Sequence, residues 1–235
     1  MKSIFVIAEI GVNWDGDFEI AKQMMLTAKK AGCNAVKFQS FNESIVMNHP
    51  EKSRLLSTSI SEKNIETIND MAKDVGIEWF STPMFPEAVI FLDPFVKRFK
   101  IREKDSHILF ENKTSPILDK ILKLNKEVII SSEKSPKSLP NFCNSNIHWL
   151  YCIPKYPCQL TDFNFNLLPE FNGFSNHCPQ IIAPLTSAIL GAKIIEVHTS
   201  SDKSGHYFDN DVSFDESELI QLLKFIRQSE KIKKL

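Results

Sequence analysis

The segment Phe5–Gln39, FVIAEIGVNWDGDFEIAKQMMLTAKKAGCNAVKFQ, contains the patterns of a strand, a helix and a second strand. Residues 4–10 form a short apolar run rich in β-branched side chains, which predicts a buried strand. Residues 18–31 carry apolar side chains at helical spacing with lysines opposite, and Gly32 suits a helix end. Residues 34–39 predict the next strand. Such a unit predicts two parallel strands joined by a helical crossover.

The same alternation continues along the chain. Further strands are predicted at residues 77–82, 96–101, 126–132, 147–152, 172–177 and 192–200, and helices at residues 61–75, 86–94, 115–124, 133–146, 160–170, 181–191 and 215–231, the patterns at 133–146 and 160–170 being the weakest. Eight strand–helix units in 235 residues predict the α/β class and a single (β/α)8 TIM barrel spanning residues 1–235. A doubly wound open sheet is the alternative, but no glycine-rich phosphate loop follows the first strand.

Composition and charge exclude several classes of partner. The 28 Lys and Arg residues balance 29 Asp and Glu residues, so the charge gives no reason to expect nucleic acid. No apolar run is long enough to span a bilayer, and the start lacks the pattern of a secretion signal, so no membrane is expected. The five cysteines form no CxxC pair, which favours free thiols in a reducing compartment and predicts a cytoplasmic protein.

Polar side chains gather at the predicted carboxyl ends of the strands, where TIM barrels place their chemistry. They include Glu9, Asn13, Lys37, Gln39, Thr82, Lys100, Ser131, Ser175 and Glu196. A lysine that faced outward from a barrel strand would meet helices, so Lys37 and Lys100 are expected inside the rim. Two lysines among hydroxyl groups predict a pocket for a phosphate or a carboxylate. Glu9 could instead be a structural carboxylate that pairs with Lys37.

Two histidines end consecutive predicted strands. His177 and His198 could therefore converge at the rim, and with the nearby carboxylates Glu196 and Asp209 they would suit a divalent metal. A single histidine is more often structural, but two at adjacent strand ends favour a metal. The residues themselves predict a barrel enzyme that acts on an anionic small molecule with help from a metal.

Seven segments of the chain, in order, resemble the sialic acid synthase family, which includes the N-acetylneuraminate synthases and their legionaminate and pseudaminate relatives. They are AEIGVN-DGD (8–17), AKKAGCNAVKFQSF (28–41), FSTP (80–83), FKI (99–101), YP (156–157), GFSNH (173–177) and IIEVH (194–198). The resemblance runs from about Ile7 to about Leu222. It implies a TIM barrel in which C3 of phosphoenolpyruvate attacks the aldehyde of an N-acylated amino sugar. Water adds at C2 and phosphate leaves, so that a nonulosonate forms.

The resemblance also implies roles for individual residues. It implies catalytic roles for Glu9, Lys37, Lys100 and Glu196, substrate-binding roles for Asn13, Gln39, Thr82, Ser131, Ser175 and Asp209, and metal-binding roles for His177 and His198. Among these, Lys37 and Lys100 would hold the phosphoenolpyruvate anion, and Glu9 would act on the water and the sugar hydroxyls. The expected cofactor is a divalent metal, usually manganese. A homodimer is a possible assembly, and the sequence leaves the oligomeric state open.

The chain also departs from the family pattern. Trp14 stands where the family has a histidine, which predicts a reshaped and more apolar sugar site. Glu103 replaces a serine of the phosphoenolpyruvate pocket, and Glu133 and Pro154 stand at two further changed positions. The C-terminal antifreeze-like domain of the family is expected to be absent. Two alternatives therefore stay open: a barrel that keeps the metal site but uses another substrate, and a non-catalytic partner subunit of a full-length synthase.

Overall fold

The computed structural model describes residues 3–140 and 142–232, and within these ranges eight parallel strands close a barrel in sequence order. The strands are β1 (Phe5–Gly11), β2 (Ala35–Ser40), β3 (Glu78–Pro83), β4 (Arg98–Ile101), β5 (Glu127–Ser132), β6 (Ile147–Cys152), β7 (Gly173–Asn176) and β8 (Ile194–His198). β8 pairs with β1, which closes the ring. The predicted (β/α)8 TIM barrel is confirmed, and each predicted strand is present within a few residues of its expected bounds.

Helices cover the outside of the barrel in the described residues. They are α1 (Phe18–Ala31), α2 (Glu43–Val46), α3 (Lys52–Ser57), α4 (Ile65–Val75), α5 (Pro86–Leu92), α6 (Glu103–Phe110), α7 (Pro116–Lys123), α8 (Ile182–Leu190) and α9 (Glu216–Ile232). Three of these, α2, α3 and α6, were not predicted from the sequence. Helix α6 matters most, because it begins directly after β4 and contributes to the functional site.

Two predicted helices are wrong. The segment 133–146 contains only a 3-10 turn at Pro136–Ser138, and its residue 141 lies outside the described residues. The segment 160–170 contains two 3-10 turns, Leu160–Asp162 and Phe165–Glu170. Prolines explain both outcomes, because a proline inside a helix removes a backbone donor and clashes with the preceding turn. Pro169 stands inside the 3-10 turn Phe165–Glu170.

Local capping explains how the first crossover helix is bounded. The side chain of Asp17 accepts hydrogen bonds from the backbone N–H groups of Glu19 and Ile20, which satisfies donors that a helix start leaves free. Gly32 ends α1 in the left-handed conformation, at φ +94°, and its N–H donates to the carbonyls of Ala28 and Lys29. The chain can then turn back directly into β2.

Strand register brings the polar side chains of the rim together. Glu9 on β1 lies beside Lys37 on β2 and beside His198 on β8. Ser175 on β7 lies beside Glu196 on β8. The described residues contain no helix that is long and apolar enough to cross a membrane.

Candidate active site

A cavity of about 430 Å³ opens at the carboxyl ends of the strands. The residues predicted from the sequence that line it are Glu9, Lys37, Gln39, Lys100, Ser131, Ser175, His177, Glu196 and His198. They come from six strands and the segment directly after β7. The sequence-based expectation that these groups share one rim therefore agrees with their placement, while their chemical roles stay predictions.

Glu196 lies between the two lysines of the cavity. Its Oε1 is 3.2 Å from Nζ of Lys100, and its Oε2 is 3.8 Å from Nζ of Lys37. Burial acts to raise the pKa of Glu196, but Lys100 and Lys37 outweigh it and bring the pKa to about 2. Glu196 is therefore an ionised carboxylate. Ser175 Oγ donates a further hydrogen bond to its Oε1 at 2.9 Å.

The two lysines differ in their surroundings. Lys37 lies 2.8 Å from Glu9 and donates to Thr82 Oγ1 at 3.1 Å. Burial acts to lower the pKa of Lys37, yet that pKa is raised because Glu196 and Glu9 lie beside it. For Lys100, burial lowers the pKa and Glu196 offsets this only in part. Lys100 also donates to Ser131 Oγ at 2.7 Å.

Glu9 is held by two partners at the end of β1. Lys37 contacts its Oε2, and Gln39 Nε2 donates to its Oε1 at 3.0 Å. Burial raises the pKa of Glu9, and Lys37 offsets this only in part. Gly11 makes this packing possible, because a Cβ there would stand 3.0 Å from Glu9 Oε1 and 3.2 Å from Gln39 Nε2. Glu9 thus pairs with Lys37, as a structural carboxylate would, and also lines the cavity.

The two imidazoles lie together at the junction of β7 and β8, with ring centroids 5.3 Å apart. Nδ1 of His177 lies 2.8 Å from the carbonyl of Ile153, which can only accept, so this nitrogen carries the proton. Nε2 of His177 then accepts from the hydroxyl of Tyr156 at 2.7 Å. Burial, together with His198, lowers the pKa of His177 to about 3, so its ring is neutral.

His198 has a different partner. Its Nδ1 is buried without a hydrogen bond, and Oδ2 of Asp209 lies 3.4 Å away in an ion-pair contact. Burial acts to lower the pKa of His198, but Asp209 and Glu9 raise it overall. An outer carboxylate or carbonyl that orients a ring is typical of histidines that bind metals.

A two-histidine metal site fits these observations. His177 Nε2 is held as an acceptor, and Asp209 lies against Nδ1 of His198, which leaves the other nitrogen of that ring for a metal. Residues 3–140 and 142–232 contain no group of three or more His, Cys, Asp or Glu side chains arranged to hold a metal. If a metal binds here, the two imidazoles would be its protein ligands.

Three predicted substrate-binding residues, Asn13, Thr82 and Asp209, are not among the residues that line the cavity. Thr82 is buried and accepts from Lys37. Asn13 is also buried, and it donates to the carbonyl of Thr199 and to Ser213 Oγ, both at 2.9 Å. Its Oδ1 accepts from the backbone N–H of Asp209 at 3.0 Å. In this arrangement Asn13 fixes the loop that places Asp209 beside His198, and contact of these three residues with a substrate stays a prediction.

The expectation for Trp14 is wrong. Its side chain is fully buried and does not line the cavity. The indole N–H donates to the carbonyl of Thr58 at 3.0 Å, and the ring packs against Phe18 and Phe38. Trp14 therefore belongs to the core beneath the first rim loop and does not make the sugar site more apolar.

Sequence reasoning missed three residues that line the cavity: Cys152, Tyr156 and His107. Tyr156 follows β6, so the strand-end argument used for the other residues could have found it. His107 could not be found in this way, because α6 was not predicted. On that helix His107 Nε2 lies 2.6 Å from Oε1 of Glu103, the residue that replaces the family serine.

The fold and the cavity define a TIM-barrel protein with buried lysines, carboxylates and paired imidazoles at the carboxyl ends of its strands. A model described as the NeuB family matches residues 24–234, and the chain belongs to this family. Relatives of this chain include synthases of the sialic acid type, which supports an enzyme of this kind.

Individual proteins show how similar the chain is to known members. It is 34% identical to an uncharacterized protein of Methanocaldococcus jannaschii, over 97% of this chain and 71% of the relative. It is 30% identical to the N,N'-diacetyllegionaminic acid synthase of Legionella pneumophila, over 97% of this chain and 72% of the relative. The crystal structure of N-acetylneuraminic acid synthetase from Leptospira borgpetersenii, in complex with citrate, matches with a TM-score of 0.86 at 26% identity, over 98% of this chain and 85% of that chain.

Proposed function

We propose that this protein condenses phosphoenolpyruvate with an N-acylated amino sugar to form a nonulosonate and release phosphate. The observation that carries the proposal is the convergence of Lys37 and Lys100 on Glu196 inside the cavity. Membership in the NeuB family and the named activities of its relatives support the same reaction. Among the described residues, Lys37 and Lys100 are the only buried lysines, and both line this cavity.

The lysines would hold the anionic substrate. Each ammonium group has three donors, and Lys100 directs two of them to Glu196 and Ser131. A phosphate or carboxylate entering the cavity would take the free donor and share the lysine charge with Glu196. Because Glu196 stays ionised, it keeps both lysines oriented toward the cavity before substrate binds.

Glu9 would handle the proton of the reaction. Burial raises its pKa, so its carboxylate is a stronger base than an exposed one. A water that adds to C2 of phosphoenolpyruvate must lose a proton, and Glu9 lines the same cavity as both lysines. Gln39, which donates to Glu9, would hold the carboxylate in position.

His177 and His198 would hold a divalent metal, with manganese as the first candidate. When bound, the metal would polarise the aldehyde oxygen of the sugar as a Lewis acid. Ile153 and Asp209 orient the two rings toward this task. Tyr156, whose hydroxyl contacts His177, would turn to the substrate or to solvent when the nitrogen is occupied.

Phosphate release tests the proposal. The protein is incubated with manganese, phosphoenolpyruvate and a panel of N-acyl hexosamines, and phosphate is measured. We expect release that depends on one of the sugars. Lys100→Met is expected to abolish it, whereas the exposed Lys97→Met serves as the matched control. Folded, metal-loaded protein that releases no phosphate with any sugar would contradict the proposal.

A further inference from the structure

The mouth of the cavity carries a carboxylate that an anion pocket would not be expected to tolerate. Glu103, in the first turn of α6, lines the same cavity as Lys100, and only 6% of it is exposed. A negative charge at this place opposes a bound anion unless a positive charge neutralises it. Glu103 therefore needs a positively charged partner if the cavity binds an anion.

His107 is the direct partner of this carboxylate. The two residues stand one helical turn apart, with Nε2 of His107 2.6 Å from Oε1 of Glu103. Half of the His107 side chain is exposed, so the ring can exchange protons with solvent. The neighbouring Arg102 is already occupied, because its guanidinium makes two hydrogen bonds to Asp105, at 2.6 and 3.0 Å.

We propose that His107 is a positioning residue that sets the affinity of the cavity for its anionic substrate by neutralising Glu103. When the ring is charged, the pair is neutral, and Lys37 and Lys100 attract the anion without opposition. When the ring is uncharged, Glu103 keeps its full negative charge beside the pocket and weakens binding. The inference rests on the proposed function, since it takes phosphoenolpyruvate as the anion.

Other ionisable groups near the pair do not provide this response. Cys152 on β6 faces Glu103, but burial raises the pKa of its thiol to about 12, so it stays neutral. Glu111, directly after α6, stays ionised, because its hydrogen bond with Lys113 lowers its pKa. Lys134 lies after β5 with its ammonium 5.9 Å from the ring of Phe110. Lys104 on α6 lines the cavity as well, but its side chain is exposed to solvent. An imidazole, by contrast, ordinarily changes charge between pH 5 and 8.

Charge variants of the pair test the inference. Phosphoenolpyruvate is titrated by calorimetry into the wild-type protein, His107→Gln, His107→Lys, Glu103→Gln and the double variant, at pH 6 and pH 8. We expect H107Q to weaken binding about tenfold, as an uncompensated like charge near the ligand would. H107K and E103Q should bind at least as tightly as the wild type, and the double variant should bind like E103Q. In turnover, H107Q should raise KM and leave kcat unchanged.

The pH comparison separates charge from shape. The affinity of the wild type for phosphoenolpyruvate should fall more between pH 6 and pH 8 than the affinity of H107K does. H107K is the baseline, because its change with pH reports the titration of the phosphate of the ligand itself. His206→Gln and Glu87→Gln change the same residue types at exposed positions outside the cavity and should bind like the wild type.

Each outcome has a distinct meaning. The inference is wrong, and the proposed function stands, if phosphoenolpyruvate binds to H107Q as tightly as to H206Q. The same holds if phosphoenolpyruvate binds but adding E103Q to H107Q does not restore the affinity. If neither the wild type nor E103Q binds phosphoenolpyruvate while both remain folded, the proposed function fails and the inference fails with it.

Discussion

Nζ of Lys100 lies 3.2 Å from Oε1 of Glu196, and both side chains are about 97% buried. The two residues belong to β4 and β8, so the ion pair crosses the interior of the barrel at its rim. Leaving one partner of a buried pair uncompensated commonly costs about 3–5 kcal/mol. This contact therefore ties the chemistry of the cavity to the stability of the fold.

A double-mutant cycle should reveal this coupling. Lys100→Met removes the nearer partner of Glu196 and should lower the free energy of unfolding by about 3 kcal/mol. Adding Glu196→Gln removes the stranded charge and should recover part of the loss, while activity stays absent. Urea unfolding measures both effects, with Lys97→Met as the control. A double variant no more stable than K100M would contradict the assigned pairing.

The neutral state of His177 predicts a particular acid response of the metal-free protein. Its pKa of about 3 lies below the ordinary value of 6.5, so folding favours the uncharged ring. The resulting stability is present above pH 6.5 and is lost as the pH falls toward 3, at up to about 1.4 kcal/mol per pH unit.

The contribution of Glu196 falls in a lower range. Its pKa of about 2 lies below the ordinary 4.5, so its stabilising effect is lost only below about pH 4.5. Urea unfolding in a chelator from pH 7 to pH 5 should therefore show a loss in the wild type that His177→Gln lacks. Equal slopes for the two proteins would argue against a buried neutral His177.

Trp14 should matter for stability and not for the choice of sugar. Trp14→His empties core volume against Phe18 and Phe38 and should cost about 3 kcal/mol or more. Trp14→Phe keeps most of the packing but leaves the carbonyl of Thr58 without its donor, at a cost of about 1–3 kcal/mol. Urea unfolding measures both costs. A change in the preferred sugar with unchanged stability would show that the indole reaches the substrate after all.

The cysteines should differ sharply in reactivity. Cys143 is exposed, whereas the other four are buried, and burial raises the pKa of Cys33, Cys152 and Cys158 to about 12. Since the thiolate is the reactive form, an aromatic disulfide reagent at pH 7.5 should modify one thiol quickly in the native protein. Cys143→Ser should abolish this fast phase. Fast reaction of a second thiol would show that the cavity region opens more than the packing indicates.

The strands could be predicted because buried parallel strands are short, nearly continuous apolar runs. Their ends then located most of the cavity, since a barrel brings the carboxyl ends of its strands to one rim. Lys37 and Lys100 show this clearly: each is a lysine in an apolar run, and both point into the cavity.

Other features could not be predicted, for identifiable physical reasons. Helix α6 has no apolar stripe to signal it, because its buried residues are Glu103 and Ser106. The direction of Trp14 depends on the loop that follows it, where Asp15 and Gly16 both have positive φ, at 54° and 77°. A loop of this kind leaves no periodic pattern in the sequence from which the direction of the indole could be predicted.

The fate of the phosphoenolpyruvate carbons tests the central claim most directly. The protein is incubated with manganese, phosphoenolpyruvate labelled with ¹³C at all three carbons, and the panel of N-acyl hexosamines. The masses of the products are then measured by mass spectrometry. We expect a sugar acid that carries all three labelled carbons, formed with one phosphate per molecule by the wild type and by Lys97→Met, and not by Lys100→Met. Labelled pyruvate as the sole product, or unchanged phosphoenolpyruvate with every sugar, would contradict the account.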